Sequence, residues 1–271
     1  MVKKQGYLRE ELKVFKIKDY TDKEFSFHYH DFYKIIVFVA GDVTYSIEGK
    51  NYELNPYDIV LVSESEIHRP IINKNVEYDR YVMYISGSFF KNYPALIECF
   101  NKAKEDHTNV MRVSNIDYSK LTELLDKAVG KIKSDEKFGS LYLHTYAMQA
   151  LLLINESVSS NGLRFEGKVS YDKKMLDVCE YINSHLKEDL SIESLSEKFY
   201  ISKYYFMHKF KEYTGLTLHH YILEKRLLYT KQLIESGEKA TFACVMAGFK
   251  DYSTYIRAKK RLNSRFMKDL E

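Results

Sequence analysis

The fold of this chain is decided by residues 191–234, SIESLSEKFYISKYYFMHKFKEYTGLTLHHYILEKRLLYTKQLI. Apolar residues recur here at helical spacing in two short segments with a break between them. In the second segment, Phe206 and Phe210 lie four residues apart and therefore share one face. Ser202 stands where it would cap that helix, and Gly215 where it would end it. The pattern predicts a helix-turn-helix unit followed by a long connecting helix.

A second unit of the same kind is predicted at about residues 240–262, with Gly248 at its break. Each unit offers one helix of a size that fits the major groove of B-DNA. Seven basic residues and a single acidic residue, Asp251, lie within residues 250–268, and phosphate binding needs an excess of this sign. A solvated helix face is the alternative explanation of the charge. Two units in tandem, joined by a capped connector, favour DNA binding over an ordinary helical bundle.

The composition indicates the broad class and the compartment. The chain has 271 residues and a net charge of +3, and this length predicts two domains. Cys99, Cys179 and Cys244 are odd in number and widely spaced, which fits neither a disulfide framework nor a zinc site. The first residues lack the apolar core of a signal peptide, and no apolar run is long enough to span a bilayer. We therefore expect a cytoplasmic protein with no membrane partner.

The predicted fold class is α+β multidomain, with strands first and helices after them. Short strand patterns with regular turns fill residues 1–86 and indicate a small antiparallel barrel or sandwich. Helical spacing begins near Ser88 and characterises the middle segment, residues 87–156. Ser, Asn and Gly with weak periodicity mark residues 157–170 as a linker. Residues 171–271 are expected to form an all-α domain that contains both helix-turn-helix units.

The predicted barrel carries a group of histidines. His28 and His30 straddle Tyr29, so both would face one side of a strand, and His68 follows a later strand. The strand pattern of residues 25–85 resembles a cupin barrel, in which metal-binding members carry Glu where this chain has Lys34. Because a cation there would repel a divalent ion, we predict no metal and no cofactor.

A barrel of this size can hold one small molecule in its mouth. The candidate lining residues are His28, His30, Lys34, Tyr45, His68, Arg80 and Val82. Donors mixed with aromatic faces suit a sugar or a small organic acid. Lys34 and Arg80 together favour an anion.

Residues 191–234 and the later run AGFKDYSTYIRAKK, residues 247–260, resemble the AraC/XylS family of transcription regulators over roughly the last hundred residues. The resemblance implies base contacts from Tyr204, Met207, His208, Tyr252, Ser253, Ile256 and Arg257. It implies phosphate contacts from Ser202, Lys203, Lys211, Thr254 and Lys260. Arg257 is the candidate for a bidentate contact with guanine.

The second unit departs from the family pattern. Ala243 stands where the family has Ile, and Lys259 stands where it has a buried Phe. Ser264 and Met267 occupy the family's late Gly and Pro positions. We expect a shifted apolar stripe to form the core instead, comprising Phe242, Val245, Met246, Phe249, Tyr255, Ala258 and Leu262.

The same family commonly carries a cupin-like sensor barrel, so we expect a ligand-responsive transcription regulator and not an enzyme. The resemblance implies double-stranded DNA and a small-molecule effector as partners, RNA polymerase as a further candidate partner, and activation as the regulatory sense.

Helices predicted at residues 114–132 and 137–158 would pair two chains into a homodimer, and covering the barrel is their alternative role.

Two other functions stay open at this point. One is a metal-dependent cupin enzyme that uses His28, His30 and His68 and carries an appended helical domain. The other is an architectural DNA-binding protein with a degenerate barrel and no effector.

Overall fold

A computed structural model describes residues 3–4, 8, 10–20, 25–73, 76–112, 116–132, 137–161 and 169–267, and at residues 3, 4, 132, 160, 161 and 262–267 it describes the backbone only. The chain divides into two units. The first comprises residues 5–47 and 51–170, and the second comprises residues 171–271 with the short segments 1–4 and 48–50.

Strands dominate the first part of the chain. In chain order they are β1 (Lys3–Lys4), β2 (Leu12–Tyr20), β3 (His28–Tyr29), β4 (Tyr33–Ala40), β5 (Val43–Ile47), β6 (Lys50–Glu53), β7 (Ile59–Val62), β8 (His68–Ile72), β9 (Glu77–Ile85), β10 (Val110–Met111) and β11 (Val169–Ser170).

Within the first unit the strands form two sheets. The first sheet has the order β10-β7-β4-β9-β2, and the second has the order β3-β8-β5-β6-β11. The neighbours β2, β9, β4 and β7 pair antiparallel, and so do β5 and β8. The predicted antiparallel β architecture is confirmed.

The pleat of the first sheet explains why its strands are continuous apolar runs in the sequence. Successive side chains of a strand point to opposite faces. On β4, Ile35 and Val37 pack in one core together with the helices of this unit. Ile36 and Phe38 pack in a second core between the two sheets. Lys34 lies two residues before Ile36 and therefore points to the inter-sheet side.

The helices of the first unit are α1 (Gly87–Asn92), a 3-10 helix (Pro94–Ile97), α2 (Glu98–Glu105), α3 (Tyr118–Ile132) and α4 (Gly139–Asn161). The linker predicted at residues 157–170 begins too early, because α4 continues through Ser157 and Ser159. Their hydroxyls donate to backbone carbonyls one turn earlier, at 2.7 and 3.0 Å, which lets polar residues remain helical. The last two residues of the predicted linker form β11, and residues 162–168 lie outside the described part.

The second unit is helical. Its helices are α5 (Lys173–Ser184), α6 (Ile192–Lys198), α7 (Lys203–Thr214), α8 (Leu218–Glu235), α9 (Ala240–Met246) and α10 (Tyr252–Met267). The predicted cap of α7 is confirmed, because the Ser202 side chain accepts a hydrogen bond from the third backbone N–H of the helix. The Thr217 side chain caps α8 in the same way. Gly215 ends α7 with a φ of 74°, a left-handed conformation that glycine adopts without strain.

The core of the second helix-turn-helix differs from the predicted stripe. Phe242 and Val245 are each 51% exposed, so the stripe is wrong at both positions. Ala243 and Cys244 are buried instead, and Cys244 packs with Phe249, Tyr255 and Ala258. Ala243 therefore occupies the same inward-facing position as the family's Ile, with a smaller side chain.

The break of this second unit requires glycine. Gly248 has a φ of +92°, and a Cβ built on it would lie 2.0 Å from the carbonyl oxygen of Leu186. The turn thus packs directly against the segment that follows α5. None of the helices in the described ranges combines the length and apolarity needed to cross a bilayer.

Candidate functional site

The residues predicted to line the barrel are all buried in the first unit; they are His28, His30, Lys34, Tyr45, His68, Arg80 and Val82. We call this set the interior cluster. The ring centroid of His68 lies 4.3 Å from that of His28 and 4.8 Å from that of His30. Tyr45 stacks on His68 at 6.0 Å. The structure thus brings the histidines and Tyr45 into contact, although they lie up to 40 residues apart in the sequence.

Backbone contacts fix the orientation of the three imidazoles. The Nδ1 atoms of His28, His30 and His68 each lie within hydrogen-bond distance of a backbone carbonyl, at 3.0, 2.7 and 2.9 Å. Because a carbonyl only accepts, each Nδ1 carries the proton, and in the neutral ring Nε2 is an acceptor.

Burial keeps two of these rings neutral. It lowers the pKa of His28 to about 4 and that of His68 well below its ordinary value. Among the described residues, the buried Nε2 of His68 makes no hydrogen bond. The interior cluster therefore presents acceptors that suit the hydroxyl or N–H groups of a ligand.

Lys34 is the unusual member of the interior cluster. The residue lies on β4 and is only 9% exposed. Within the described part of the chain, its only hydrogen bond joins Nζ to the Tyr45 hydroxyl at 3.2 Å. Burial, followed by the positive charge of Arg80, lowers the pKa of Lys34 to about 7. The Lys34 amine therefore gives up its proton at a lower pH than an ordinary lysine side chain does.

Arg80 is engaged within the protein. Its Nη1 donates to a carboxylate oxygen of Asp19 at 2.6 Å and to the carbonyl oxygen of Tyr78 at 2.9 Å. Its guanidinium also lies 3.8 Å from the centroid of the Tyr78 ring. A ligand anion would have to compete with Asp19 for Arg80, so the expected anion-binding pair is reduced to Lys34.

Sequence reasoning missed three neighbours of the interior cluster. Tyr84 lies opposite Lys34 in the β4–β9 register, with its ring centroid 6.0 Å from Lys34 Nζ. Alternation along β9 would have found it, since Tyr84 shares a face with Arg80. Phe32 stacks on the His30 ring at 4.1 Å. Asp19 carried no signal, because its contact with Arg80 depends on the register between β2 and β9.

The histidines do not form a group with metal-ligand geometry. Across the ranges that the structure describes, no three His, Cys, Asp or Glu side chains are placed to hold a metal ion. Each Nδ1 is taken by a carbonyl, and the His28 and His30 ring centroids are 6.5 Å apart.

The second unit presents the residues expected to contact DNA. On α7, Phe206 and Phe210 are fully buried, while Tyr204 is 72% exposed and Met207 and His208 are exposed beside it. Ser202, Lys203 and Lys211 are also exposed. Lys203 forms a surface ion pair with Glu193 at 2.8 Å, a type of pair that contributes little and exchanges readily.

The equivalent face of α10 is less uniform. Tyr252, Ser253, Arg257 and Lys260 are exposed, as expected. Ile256 is half-buried and packs against the core of this helix-turn-helix, so it has less surface to offer a base than its neighbours. Thr254 is also half-buried, and its hydroxyl accepts a hydrogen bond from Arg257 at 3.2 Å.

A cavity of about 790 Å³ adjoins the outward face of α7. Met207, His208 and Lys211 line one side of it, and Leu190, Leu218 and Ile222 contribute to the remainder. Three of the side chains expected to contact DNA therefore border a depression with an apolar floor.

Comparison with known proteins finds matches to both parts of the chain. A family profile described as AraC-like ligand binding domain matches residues 14–151, and one described as helix-turn-helix domain matches residues 195–265. The probable transcriptional regulator LumQ of Photobacterium leiognathi is 26% identical over 245 residues, which cover 89% of this chain and 90% of LumQ.

The transcriptional activator RhaS of Enterobacter sp. (strain 638) is 23% identical over 235 residues, which cover 85% of this chain and 82% of RhaS. Among solved structures, ToxT from Vibrio cholerae aligns over 92% of this chain and 93% of its own, with a TM-score of 0.36 and 14% identity.

The match to the ligand-binding domain covers half of the chain and contains every residue of the interior cluster. The helix-turn-helix match covers α7 and most of α10. This chain therefore belongs to the AraC family of transcription regulators, with a ligand-binding domain and a helix-turn-helix DNA-binding domain.

Proposed function

We propose that this regulator binds promoter DNA with two recognition helices, α7 and α10, and that a small molecule in the interior cluster controls the binding. The exposed polar faces of the two helices carry the proposal. Each lies opposite a buried apolar face that fixes the helix in its unit. Helices of this kind enter successive major grooves about 34 Å apart when they bind one face of a duplex.

The proposed residue roles are those that the family resemblance implies, and exposure supports them at every position except the half-buried Thr254 and Ile256. We assign base contacts to Tyr204, Met207, His208, Tyr252, Ser253, Ile256 and Arg257, and phosphate contacts to Ser202, Lys203, Lys211, Thr254 and Lys260. Arg257 is the strongest single candidate, because an exposed guanidinium can donate two hydrogen bonds to guanine O6 and N7. Ile256 is the weakest, because part of its surface is already buried.

The effector is proposed to be a sugar or a small organic acid. Hydroxyl groups of such a ligand would donate to imidazole Nε2 atoms, and an acidic or carbonyl group would meet Lys34. Tyr84 is added to the predicted lining residues, because it packs beside the Lys34 amine. Burial of the whole interior cluster strengthens each of these hydrogen bonds relative to water.

The helical segment of the first unit is proposed to make a homodimer. α4 buries one apolar stripe, to which Ala147, Leu151 and Ile154 belong. It exposes a second stripe, in which Leu141 is 66% and Leu152 46% exposed. An apolar stripe left in water on a helix with a buried opposite face is typical of an association surface.

Our proposals for activation as the regulatory sense and for RNA polymerase as a partner are based on the relatives of this chain. RhaS is described as an activator, and we propose the same sense for this chain, with RNA polymerase as a partner and no enzymatic activity. Effector binding changes DNA affinity only through a difference in affinity between two arrangements of the protein.

The test is selection of a target from random duplexes with the full chain, followed by footprinting. We expect protection of two segments about 10 base pairs apart, one for each recognition helix. Protection of a single segment, unchanged by replacing Arg257 with Ala, would contradict the role of α10. Titration calorimetry with neutral sugars, phosphorylated sugars and carboxylates tests the effector class.

The dimer has its own test. Sedimentation of Leu141→Glu and Leu152→Glu is compared with that of Gln149→Glu, an exposed polar position on the same helix. We expect the two leucine variants to be monomeric and the control to remain dimeric at micromolar concentration. A wild-type monomer at that concentration would contradict the proposal.

A further inference from the structure

The interior cluster holds a buried amine without a buried acid. Lys34 is 9% exposed, and within the described residues it forms no ion pair and its one hydrogen bond is to the Tyr45 hydroxyl. The groups around it come from several strands: Tyr45 on β5, His68 on β8, and Arg80 and Tyr84 on β9. A cation in this position is destabilised, because burial keeps the neighbouring His28 and His68 neutral and Arg80 has the same charge.

A second lysine of the same unit provides the contrast. Lys16 also meets a tyrosine, with Nζ 2.7 Å from the Tyr81 hydroxyl. It additionally lies 3.3 Å from a carboxylate oxygen of Asp126. The hydrogen bond with Tyr81 and the charge of Asp126 raise its pKa. The first unit therefore contains one lysine arranged as a paired cation and another arranged without an acidic partner.

An amine of the second kind reacts with carbonyl groups. Only the neutral form has a lone pair, and enzymes that form imines obtain it by burying the lysine or placing a second cation nearby. Lys34 meets the first condition by its burial, and the positive charge of Arg80 acts in the same direction. The two ligand classes proposed above also include carbonyl compounds, namely open-chain aldoses and 2-oxo acids.

We infer that Lys34 captures its effector covalently, as an imine between Nζ and the aldehyde or ketone carbon of a small sugar or oxo acid. The inference rests on the proposed function of the first unit as an effector-binding domain, and it specifies the chemical class of that effector. The regulator would thus distinguish a carbonyl compound from the corresponding alcohol by a bond that the alcohol cannot form.

The chemistry balances with the groups present. The lone pair of Nζ forms a bond with the carbonyl carbon, and the carbonyl oxygen takes a proton from the Tyr45 hydroxyl. Tyr45 regains a proton from the nitrogen, which gives a neutral carbinolamine. Loss of the hydroxyl with the remaining proton on nitrogen releases one water and leaves the C=N bond. No oxidant or reductant takes part, and hydrolysis reverses the reaction.

The surrounding acceptors would then hold the rest of the ligand. His68 offers a buried Nε2 with no hydrogen bond in the described structure, and the centroid of the His28 ring lies 4.3 Å from that of the His68 ring. Hydroxyl groups next to the former carbonyl carbon can donate to these nitrogens. Three-carbon ligands with a hydroxyl or carboxyl group beside the carbonyl are therefore suitable probes.

The primary experiment uses the wild-type full chain, and single-residue variants serve as its controls. Glyceraldehyde and pyruvate are incubated with the protein at pH 7.4, borohydride is added at timed intervals, and peptides are mapped by mass spectrometry. A reduced imine increases the peptide mass by that of the probe less one oxygen atom. Glycerol and lactate, which carry a hydroxyl group in place of the aldehyde or ketone, are tested in parallel for their effect on the thermal midpoint of unfolding.

We expect Lys34 to be labelled by at least one carbonyl probe about tenfold or more faster than Lys16, because far more of it is neutral at this pH. Lys34→Met should lose that label, and Lys16→Met should keep it. Tyr45→Phe should slow labelling without changing its position.

The remaining outcomes separate the two claims. If probes raise the thermal midpoint but Lys34 is labelled no faster than Lys16, the covalent inference is overturned and the effector proposal stands. If no probe raises the midpoint and Lys34 is not labelled preferentially, both are contradicted for these ligand classes.

Discussion

Replacing Lys34 with Met should abolish a specific part of the pH dependence of stability. The side chain has an ordinary pKa of 10.5 and a pKa of about 7 in the folded protein. Between these values the unfolded chain binds a proton that the folded chain does not. The free energy of unfolding therefore rises with pH across this window.

The size of the effect follows from the two pKa values. Each unit of difference corresponds to about 1.4 kcal/mol. Integrated from pH 7 to pH 9, the wild type should gain about 2 kcal/mol relative to Lys34→Met. The absolute stability of the variant is less informative, because Met also leaves the Tyr45 hydroxyl without its nitrogen partner.

Urea denaturation of the full chain at pH 7 and pH 9 measures this gain, with the transition of the first unit followed separately from that of the second. Lys16→Met is the matched control. Since the pKa of Lys16 is raised above 10.5, its contribution is present throughout this range and is lost only above it. If the free energies of unfolding of wild type and Lys34→Met differed by the same amount at both pH values, Lys34 would stay charged when buried. That result would refute this reasoning.

Three further predictions concern other parts of the chain. Arg257→Ala should weaken specific DNA binding by about 1–3 kcal/mol and relax one base position; unchanged selectivity in a random-duplex selection would count against α10 as a recognition helix. Ser202→Ala should lower the stability of the second unit by about 1 kcal/mol, because the α7 cap is lost. Lys239→Ser should raise that stability by roughly 0.5–1 kcal/mol, because α9 begins without a side-chain cap. Thermal unfolding compares the two variants, and equal shifts of their thermal midpoints would contradict the cap assignment. His28→Gln should reduce the loss of stability between pH 6.5 and pH 4 by about 3 kcal/mol, since the folded chain resists protonation of His28; an unaltered acid transition would refute the burial argument.

Local signals in the sequence were sufficient for the first helix-turn-helix of the second unit. Ser202 and Gly215 each act within one helix end, through contacts with residues next to them in the chain. The exposed face of α7 follows from the buried positions of Phe206 and Phe210 by helical geometry alone. Such features need no knowledge of the tertiary fold, so the sequence could predict them.

Features that depend on packing between distant residues were not predictable. The apolar stripe of the second helix-turn-helix was misplaced, because periodicity could not show that Ala243 would be buried in preference to Phe242. β10 lies within a segment predicted as helical, since two residues with no alternation carry no strand signal.

The interior cluster shows the same division. Alternation placed Lys34 and Arg80 on inward faces. The contact between Arg80 and Asp19, with which a ligand anion would have to compete, follows from a strand register that the sequence did not specify.

The most direct test of the account is the salt dependence of DNA binding by the full chain. Fluorescence anisotropy with a duplex chosen by selection gives the association constant at several potassium chloride concentrations. If Lys203, Lys211 and Lys260 each neutralise one phosphate, the logarithm of that constant should fall with the logarithm of salt with a slope of roughly −3 per subunit. Binding that does not change with salt, or no binding to any duplex, would contradict the claim that the faces of α7 and α10 lie against DNA.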